Sequence, residues 1–248
     1  GEIIAVGKNV TQFKPGDAVF GGGKGAFAEY ACARESKLAP KPEGVSFEQA
    51  AAVTIAGMTA LQALRDAAHL QAGQKVLING AAGGIGTFAV QIAKSLGAHV
   101  TGVCSTKNVE LVRSLGADRV IDYTCKDFTE DGECYDLLLD NVGNRKLSAM
   151  KCVLRPNGKC VIAGAPKKMS AVFTWLLKIF TRSLLLRQNF KFLIANINRD
   201  DLTTLGELIT AGKVTPVIDR RYPLSGTADA MAYAEEGHSR GKVVITFE

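Results

Sequence analysis

Histidine is scarce in this chain, three among 248 residues, and its six cysteines form neither a Cys-x-x-Cys pair nor a Cys/His cluster. Tetrahedral zinc needs four close ligands, usually paired along the chain, so this spacing argues against a metal site. Cys32, Cys104, Cys125, Cys134, Cys152 and Cys160 read as reduced, scattered thiols of an intracellular protein, and a cytoplasmic setting is expected. His69, His99 and His238 fall at helix ends or strand starts, as structural or solvated residues rather than bases or ligands. Also lacking is any run of Lys/Arg interleaved with aromatics. That speaks against nucleic acid, although the net charge is +6. A long uninterrupted apolar run is missing too. The stretch 170–195 is broken by Lys178, Arg182, Arg187 and Lys191 and cannot span a bilayer comfortably. It reads as a core-facing or dimer-interface segment, with a basic amphipathic helix lying peripherally on anionic membrane as the alternative.

What is present is most informative at Lys75-Val-Leu-Ile-Asn-Gly-Ala-Ala-Gly-Gly-Ile-Gly86. A β-prone apolar run leads into Gly80, Gly83 and Gly86 at three-residue steps. An amphipathic run from Thr87 to Leu96 follows and stops at Gly97. A strand, a glycine loop and a helix in that order set a pyrophosphate against a helix N-terminus, where free N–H groups and the helix dipole favour an anion. Side chains in the loop would hold phosphates away from the backbone, hence its small residues. The context marks a dinucleotide site; a tight turn in a nucleotide-free α/β protein is the bland alternative.

From Lys75 onward strand and helix patterns alternate. Strands are expected at 76–79, 99–104, 119–122, 135–140 and 159–163, with helices near 86–96, 107–115, 125–131 and 144–151. Near-continuous apolar strands joined by helices imply a parallel sheet covered on both faces, a doubly wound α/β fold. Residues 1–45 are β-like, with Gly21–Gly25 as a loop and a strand over 26–32. Ser46-Phe-Glu-Gln49 is a capping-box helix start, and a second helical stretch is expected from Gly57 to about His69. Beyond residue 195, a helix from about Asp200, a strand near 217–222, a helix after Ser225 and a final strand at 242–247 complete the reading. The chain opens on Gly1-Glu-Ile-Ile without Met, in what reads as mid-strand, so a preceding segment of the native protein is expected.

About twenty residues past the loop, an acidic residue would bind the ribose 2′-hydroxyl of NAD. This chain has Cys104-Ser105-Thr106-Lys107-Asn108 instead. Hydroxyls and a cation favour the extra 2′-phosphate of NADP through charge-assisted hydrogen bonds, unless Lys107 is only a solvated helix-start lysine. Asp140-Asn141-Val142-Gly143 ends a later strand, where ligands of open α/β sheets bind. For Asp140 itself a structural cap is an equal alternative.

Gly57-Met-Thr-Ala60, Ala81-Ala-Gly-Gly-Ile-Gly86, Leu115-Gly-Ala-Asp118, Val120-Ile-Asp-Tyr123 and Gly241-Lys-Val-Val-Ile245 together resemble the medium-chain dehydrogenase/reductase superfamily. Within it the chain is most similar to the zinc-free quinone oxidoreductase and alkenal reductase branch. The resemblance implies a Rossmann domain inserted in a GroES-like, β-rich catalytic domain whose front part precedes this sequence. Residues 1–51 would be the tail of that catalytic domain, 52–190 the nucleotide-binding domain and 191–248 the return. The zinc relatives' cysteine lobe is missing between Gly16-Asp-Ala-Val19 and Phe27-Ala-Glu-Tyr30, and Ala50-Ala-Ala-Val-Thr54 offers no thiolate. A catalytic zinc is therefore not expected.

By the same resemblance, Thr59 would lie near the nicotinamide or its phosphate, and Ala82, Gly83, Gly84, Ile85 and Gly86 would cradle the pyrophosphate. Ser105, Lys107 and Tyr123 would surround the 2′-phosphate, Asn141 and Val142 would line the nicotinamide, and Arg240 or Lys242 would close over the phosphates. The activity implied is NADPH-dependent, zinc-independent reduction of a small quinone or α,β-unsaturated carbonyl, with no catalytic residue assigned. A metal-free alcohol or enoyl reductase of this fold and a non-catalytic nucleotide-binding adaptor are the rivals. A homodimer is expected by family analogy alone.

Overall fold

The computed structural model describes residues 1–163 and 189–247. They divide into two units, Gly1–Met58 with Ala195–Glu248, and Thr59–Ile194. In the first unit, β1 (Val19–Lys24) pairs antiparallel with β2 (Cys32–Pro40). Of the glycines expected to form a loop, Gly21, Gly22 and Gly23 lie inside β1 and only Gly25 follows it. A Cβ on Gly21 would sit 2.1 Å from the Lys37 carbonyl oxygen, so the strand needs a bare backbone there, at a register shift between Gly21 and Gly23. The strand expected over 26–32 likewise begins only at Cys32.

Helix α1 (Phe47–Gln62) opens with the expected reciprocal cap: the Ser46 N–H donates to Gln49 Oε1 (3.0 Å) and the Gln49 N–H to Ser46 Oγ (3.1 Å). Gly57 does not start a new helix. It lies within α1, where a Cβ would come 2.7 Å from Val53 Cγ2 and 3.3 Å from Leu205, so the glycine serves close packing. The helical path continues as a π turn over Ala63–Ala67. Its last carbonyls are met by cations: Lys191 Nζ donates to the Ala67 oxygen at 2.8 Å, and Lys159 Nζ to that of Ala68.

The second unit is built on β3 (Lys75–Asn79), α2 (Gly84–Ser95), β4 (His99–Cys104), α3 (Val109–Ser114), β5 (Arg119–Asp122), β6 (Tyr135–Asp140), α4 (Leu147–Cys152), β7 (Leu154–Ile162) and β8 (Asn189–Phe192). The six strands form one parallel sheet in the order β5-β4-β3-β6-β7-β8. Val76, Leu77 and Ile78 are consecutive and all fully buried, as a strand covered on both faces requires. Leu77, Val103, Leu138, Met150 and Phe190 belong to one core cluster, while Phe88, Val90 and Ile92 of α2 are fully buried as well. Each such side chain contributes about 1.5–3 kcal/mol relative to exposure.

Two expectations need correction in this unit. Residues 125–131 hold only a single 3-10 turn, Phe128–Glu130, because Asp127 Oδ1 accepts from both the N–H and the hydroxyl of Thr129 (2.9 Å each) and draws the backbone into a turn. β7 starts at Leu154 rather than near 159. Arg155-Pro156-Asn157-Gly158 is accommodated within it as an irregularity, with Asn157 at φ 66°. Most of the apolar stretch at 170–195 lies outside the described residues, as does Gly164-Ala165 at the end of the strand expected at 159–163.

The first unit resumes with α5 (Arg199–Thr210), capped by Asn198 Oδ1 accepting from the Asp201 N–H at 2.9 Å. β9 (Ile218–Pro223), α6 (Thr227–Glu235) and β10 (Lys242–Thr246) follow, and β9 pairs with β10 in parallel.

Candidate dinucleotide site

β3 sits mid-sheet, with β4 and β5 on one side and β6, β7 and β8 on the other. The carboxyl ends of β3 and β6 therefore mark the point where the strand order reverses, where open α/β sheets bind ligands. Their last residues, Asn79 and Asp140, are register partners. Gly80 turns the chain at φ 77°, and a Cβ there would meet Val142 Cγ2 at 2.8 Å. The Ala81 N–H donates to the Val103 carbonyl (2.9 Å), tying the loop to β4. Gly83, extended at φ −80° and ψ 178°, caps α2 without a side chain.

The N–H groups of Gly84, Ile85 and Gly86 have no acceptor one turn back inside the helix. Gly83, Gly84 and Ile85 are partly exposed, whereas Gly86 is buried. A Cβ on Gly86 would lie 2.1 Å from the Gly80 carbonyl oxygen and 2.7 Å from the Ala81 backbone, so glycine lets α2 pack onto the strand end. These features fit a diphosphate: a glycine-rich cradle, main-chain donors without helical acceptors, and the positive end of a twelve-residue helix.

The neighbouring corner lies at the ends of β4 and β5. Cys104 is buried, and burial, with the Asp122 charge adding to it, pushes its thiol up to about 11, which makes it an inert packing residue. Ser105 is half-buried and accepts from Asn108 Nδ2 at 3.3 Å. Lys107 and Tyr123 are exposed, Tyr123 by 51%. The Tyr123 N–H donates to the Cys104 carbonyl (3.0 Å), which places the tyrosine beside Ser105.

Sequence reasoning passed over Asp122, an anion in a corner read as neutral to positive. The Thr106 and Thr124 hydrogen bonds hold its carboxyl below the usual range. Its Oδ1 accepts from the Thr124 N–H (2.9 Å) and hydroxyl (2.8 Å), and the Thr106 and Thr124 hydroxyls are 2.9 Å apart. Asp followed two residues on by Thr is an Asx-turn signal that was legible in Asp122-Tyr-Thr124.

At the switch point Asn141 turns inward, its Nδ2 donating to the Asn79 carbonyl at 3.1 Å, while Val142 is exposed. Thr59 is buried in α1. Thus Ala82–Gly86, Ser105, Lys107, Tyr123, Asn141 and Val142 all stand at the carboxyl edge of one sheet. Lys242 and Arg240 belong to the other unit. There Lys242 is half-buried on β10, with its ammonium pKa lowered by burial, and the Arg240 N–H donates to Asp219 Oδ2 at 3.0 Å. His69, His99 and His238 are exposed. Among the described residues, no group of three or more His, Cys, Asp or Glu is placed to hold a metal ion, and no helix is long and apolar enough to cross a membrane. A cavity of about 180 Å³ lies at the opposite, amino-terminal edge of the sheet, lined by Leu70, Gln74, Asp136 and Lys159 among others.

Strand order and glycine cradle define a dinucleotide-binding protein of the Rossmann type. A family model described as zinc-binding dehydrogenase matches residues 115–245. The chain is 36% identical over 259 residues to a chloroplast envelope quinone oxidoreductase homolog of Arabidopsis thaliana, covering 99% of this chain and 77% of that protein. It is 35% identical over 260 residues to an NADPH-dependent alkenal/one oxidoreductase, also chloroplastic and from Arabidopsis thaliana, covering 99% and 61%. Its fold matches the solved quinone oxidoreductase of Coxiella burnetii with a TM-score of 0.88 at 31% identity, over 99% of this chain and 76% of the other. The chain belongs to the medium-chain dehydrogenase/reductase superfamily, in its quinone-oxidoreductase-like branch. Its class is that of the NAD(P)H-dependent oxidoreductases.

Proposed function

We propose that this protein uses NADPH to reduce quinones or α,β-unsaturated carbonyl compounds, by hydride transfer and without zinc. The observation that carries the reading is the bare amide cradle at Gly83–Gly86, at the switch point of a chain 36% identical to a quinone oxidoreductase homolog. Bound NADPH would supply a hydride equivalent. The chain's part is to hold the diphosphate on the α2 amides and to turn the Asn141–Gly143 segment toward the nicotinamide. Lys107, Ser105 and Tyr123 would take the 2′-phosphate, Lys107 through charge-assisted hydrogen bonds. Asp122 stays an anion in this corner, its oxygens held by Thr124 and Cys125, so the Lys107 cation has to outweigh it. Fixing distance and excluding water then suffices for an acceptor that is already electron-poor. Solvent water is the proposed proton source.

Zinc independence rests on donor chemistry: no thiol or imidazole stands in Ala50–Thr54, and Val19 runs directly into β1 without a cysteine lobe. A homodimer is proposed by family analogy alone.

The test is NADPH oxidation against a panel of quinones, enals and aldehydes, with and without a zinc chelator. Turnover of quinones or enals, unchanged by the chelator, is expected. Turnover of aldehydes alone would favour the metal-free alcohol reductase reading. Nucleotide uptake measured by calorimetry without turnover of any acceptor would favour the adaptor.

A further inference from the structure

The carboxyl end of β6 carries a feature that the cofactor reading does not use. Asp140 is fully buried, at 0% exposure, between Asn79 of β3 and Ile162 of β7. Its Oδ1 accepts three hydrogen bonds, from Asn79 Nδ2 (2.8 Å), the Val142 N–H (3.1 Å) and the Gly143 N–H (3.1 Å). Oδ2 has no hydrogen-bond partner among the described residues. Asn79 Nδ2 also reaches Asn144 Oδ1 at 3.2 Å, so β3, the end of β6 and the start of the next segment converge on one carboxylate. Burying a charge is costly unless donors surround it, and here two of the three donors are main-chain amides of a single turn. Those two bonds fold residues 141–143 back over the strand end. Val142 is left exposed, with Cγ2 2.8 Å from where a Gly80 Cβ would stand, and Gly143 takes φ 71°.

We infer that Asp140 is a positioning residue, whose buried carboxylate clamps the Asn141–Gly143 turn in the shape that receives the nicotinamide end of the cofactor. This rests on the reading of the carboxyl edge as an NADP site. Asp140 touches no reacting atom; it acts through Val142 and Gly143. The adenosine corner, held by the separate Asp122–Thr124–Thr106 bonds, is independent of it.

Calorimetric titration with two probes separates the ends: NADP⁺, which spans both, and 2′,5′-ADP, which carries only the adenosine half. In Asp140→Ala, affinity for NADP⁺ is expected to fall about tenfold while that for 2′,5′-ADP changes less than about twofold. Asp140→Asn retains an acceptor at Oδ1 and is expected to recover most of the loss. If Asp140→Ala does not fold, as its thermal transition will show, Asp140→Ser is titrated in its place, because the ratio of the two affinities within one folded variant is the readout. An unchanged NADP⁺ affinity, or equal losses for both probes, overturns the inference. Uptake of neither probe by the unsubstituted chain overturns the NADP reading itself, and the inference with it.

Discussion

The two ends of the carboxyl edge are built differently. At the switch point, Asn79 and Asp140 are buried, and the Asn141 side chain reaches back to the Asn79 carbonyl. At the ends of β4 and β5, Lys107, Thr106, Thr124 and Tyr123 are exposed, while Ser105 and Asp122 are partly covered. A buried hydrogen-bonded cluster fixes one geometry, since each unmade bond costs a desolvated group. An exposed set of side chains selects a ligand by charge and is easily changed without disturbing the fold. Under the proposed function, the first end would align a reacting ring and the second would choose between cofactors.

That contrast can be attacked in order of expected effect. Gly86→Val strikes the cradle that both ends share, because its Cβ would enter the Gly80 carbonyl and the Ala81 backbone. A loss of about 3 kcal/mol in urea unfolding is expected, with loss of both NADP⁺ and 2′,5′-ADP binding. Retained binding of either would show that α2 need not pack on the strand end. Lys107→Glu should leave the fold intact and weaken NADPH on the order of tenfold to a hundredfold more than NADH, by setting a like charge against the 2′-phosphate. Equal losses for both cofactors would show that this corner does not distinguish the 2′-phosphate.

Tyr123→Phe deletes one exposed hydroxyl, and NADPH should weaken only about threefold. The smallest effect is expected away from both ends, at the start of β5, where Arg119 and Lys126 pair with Asp131. The Arg119 hydrogen bond holds the Asp131 carboxyl below the usual range. A lowered folded-state pKa stabilises above about pH 4 and that contribution vanishes as pH falls through the folded value. Arg119→Gln should therefore unfold slightly earlier at pH 7, by about 1 kcal/mol or less, with the gap closing below about pH 4 and cofactor affinity unchanged. A gap that does not narrow at all as pH falls from about 5 to about 2 would exclude the ion pair as its cause.

Much of this molecule could be read in one dimension. The Lys75–Gly86 run and the four strands from β3 to β6 stand where periodicity placed them, because a doubly covered strand must be continuously apolar. The Ser46/Gln49 cap is local chemistry and was equally legible. Gly57 and Gly21 misled for one shared reason. Each looks like a break, yet each meets a chain segment distant in sequence, Leu205 in one case and Lys37 in the other. Pro156-Asn157-Gly158 hid the start of β7 in the same way, since pairing with β6 tolerates an irregularity that local propensity forbids.

Residue order alone thus settled the class of fold, the glycine loop between β3 and α2 and the basic character at Lys107, all consequences of short-range sterics and charge. Asp140 needed three dimensions. A carboxylate beside a strand end is read equally well as cap or ligand until its donors from β3 and the following turn are located. The link from Asp122 through Thr124 to Thr106 likewise stayed hidden until the two threonines were seen to meet. Hydrogen bonds between groups 18 and 61 positions apart leave no periodic trace in a sequence, because folding brings them together only after both strands have found their places in the sheet.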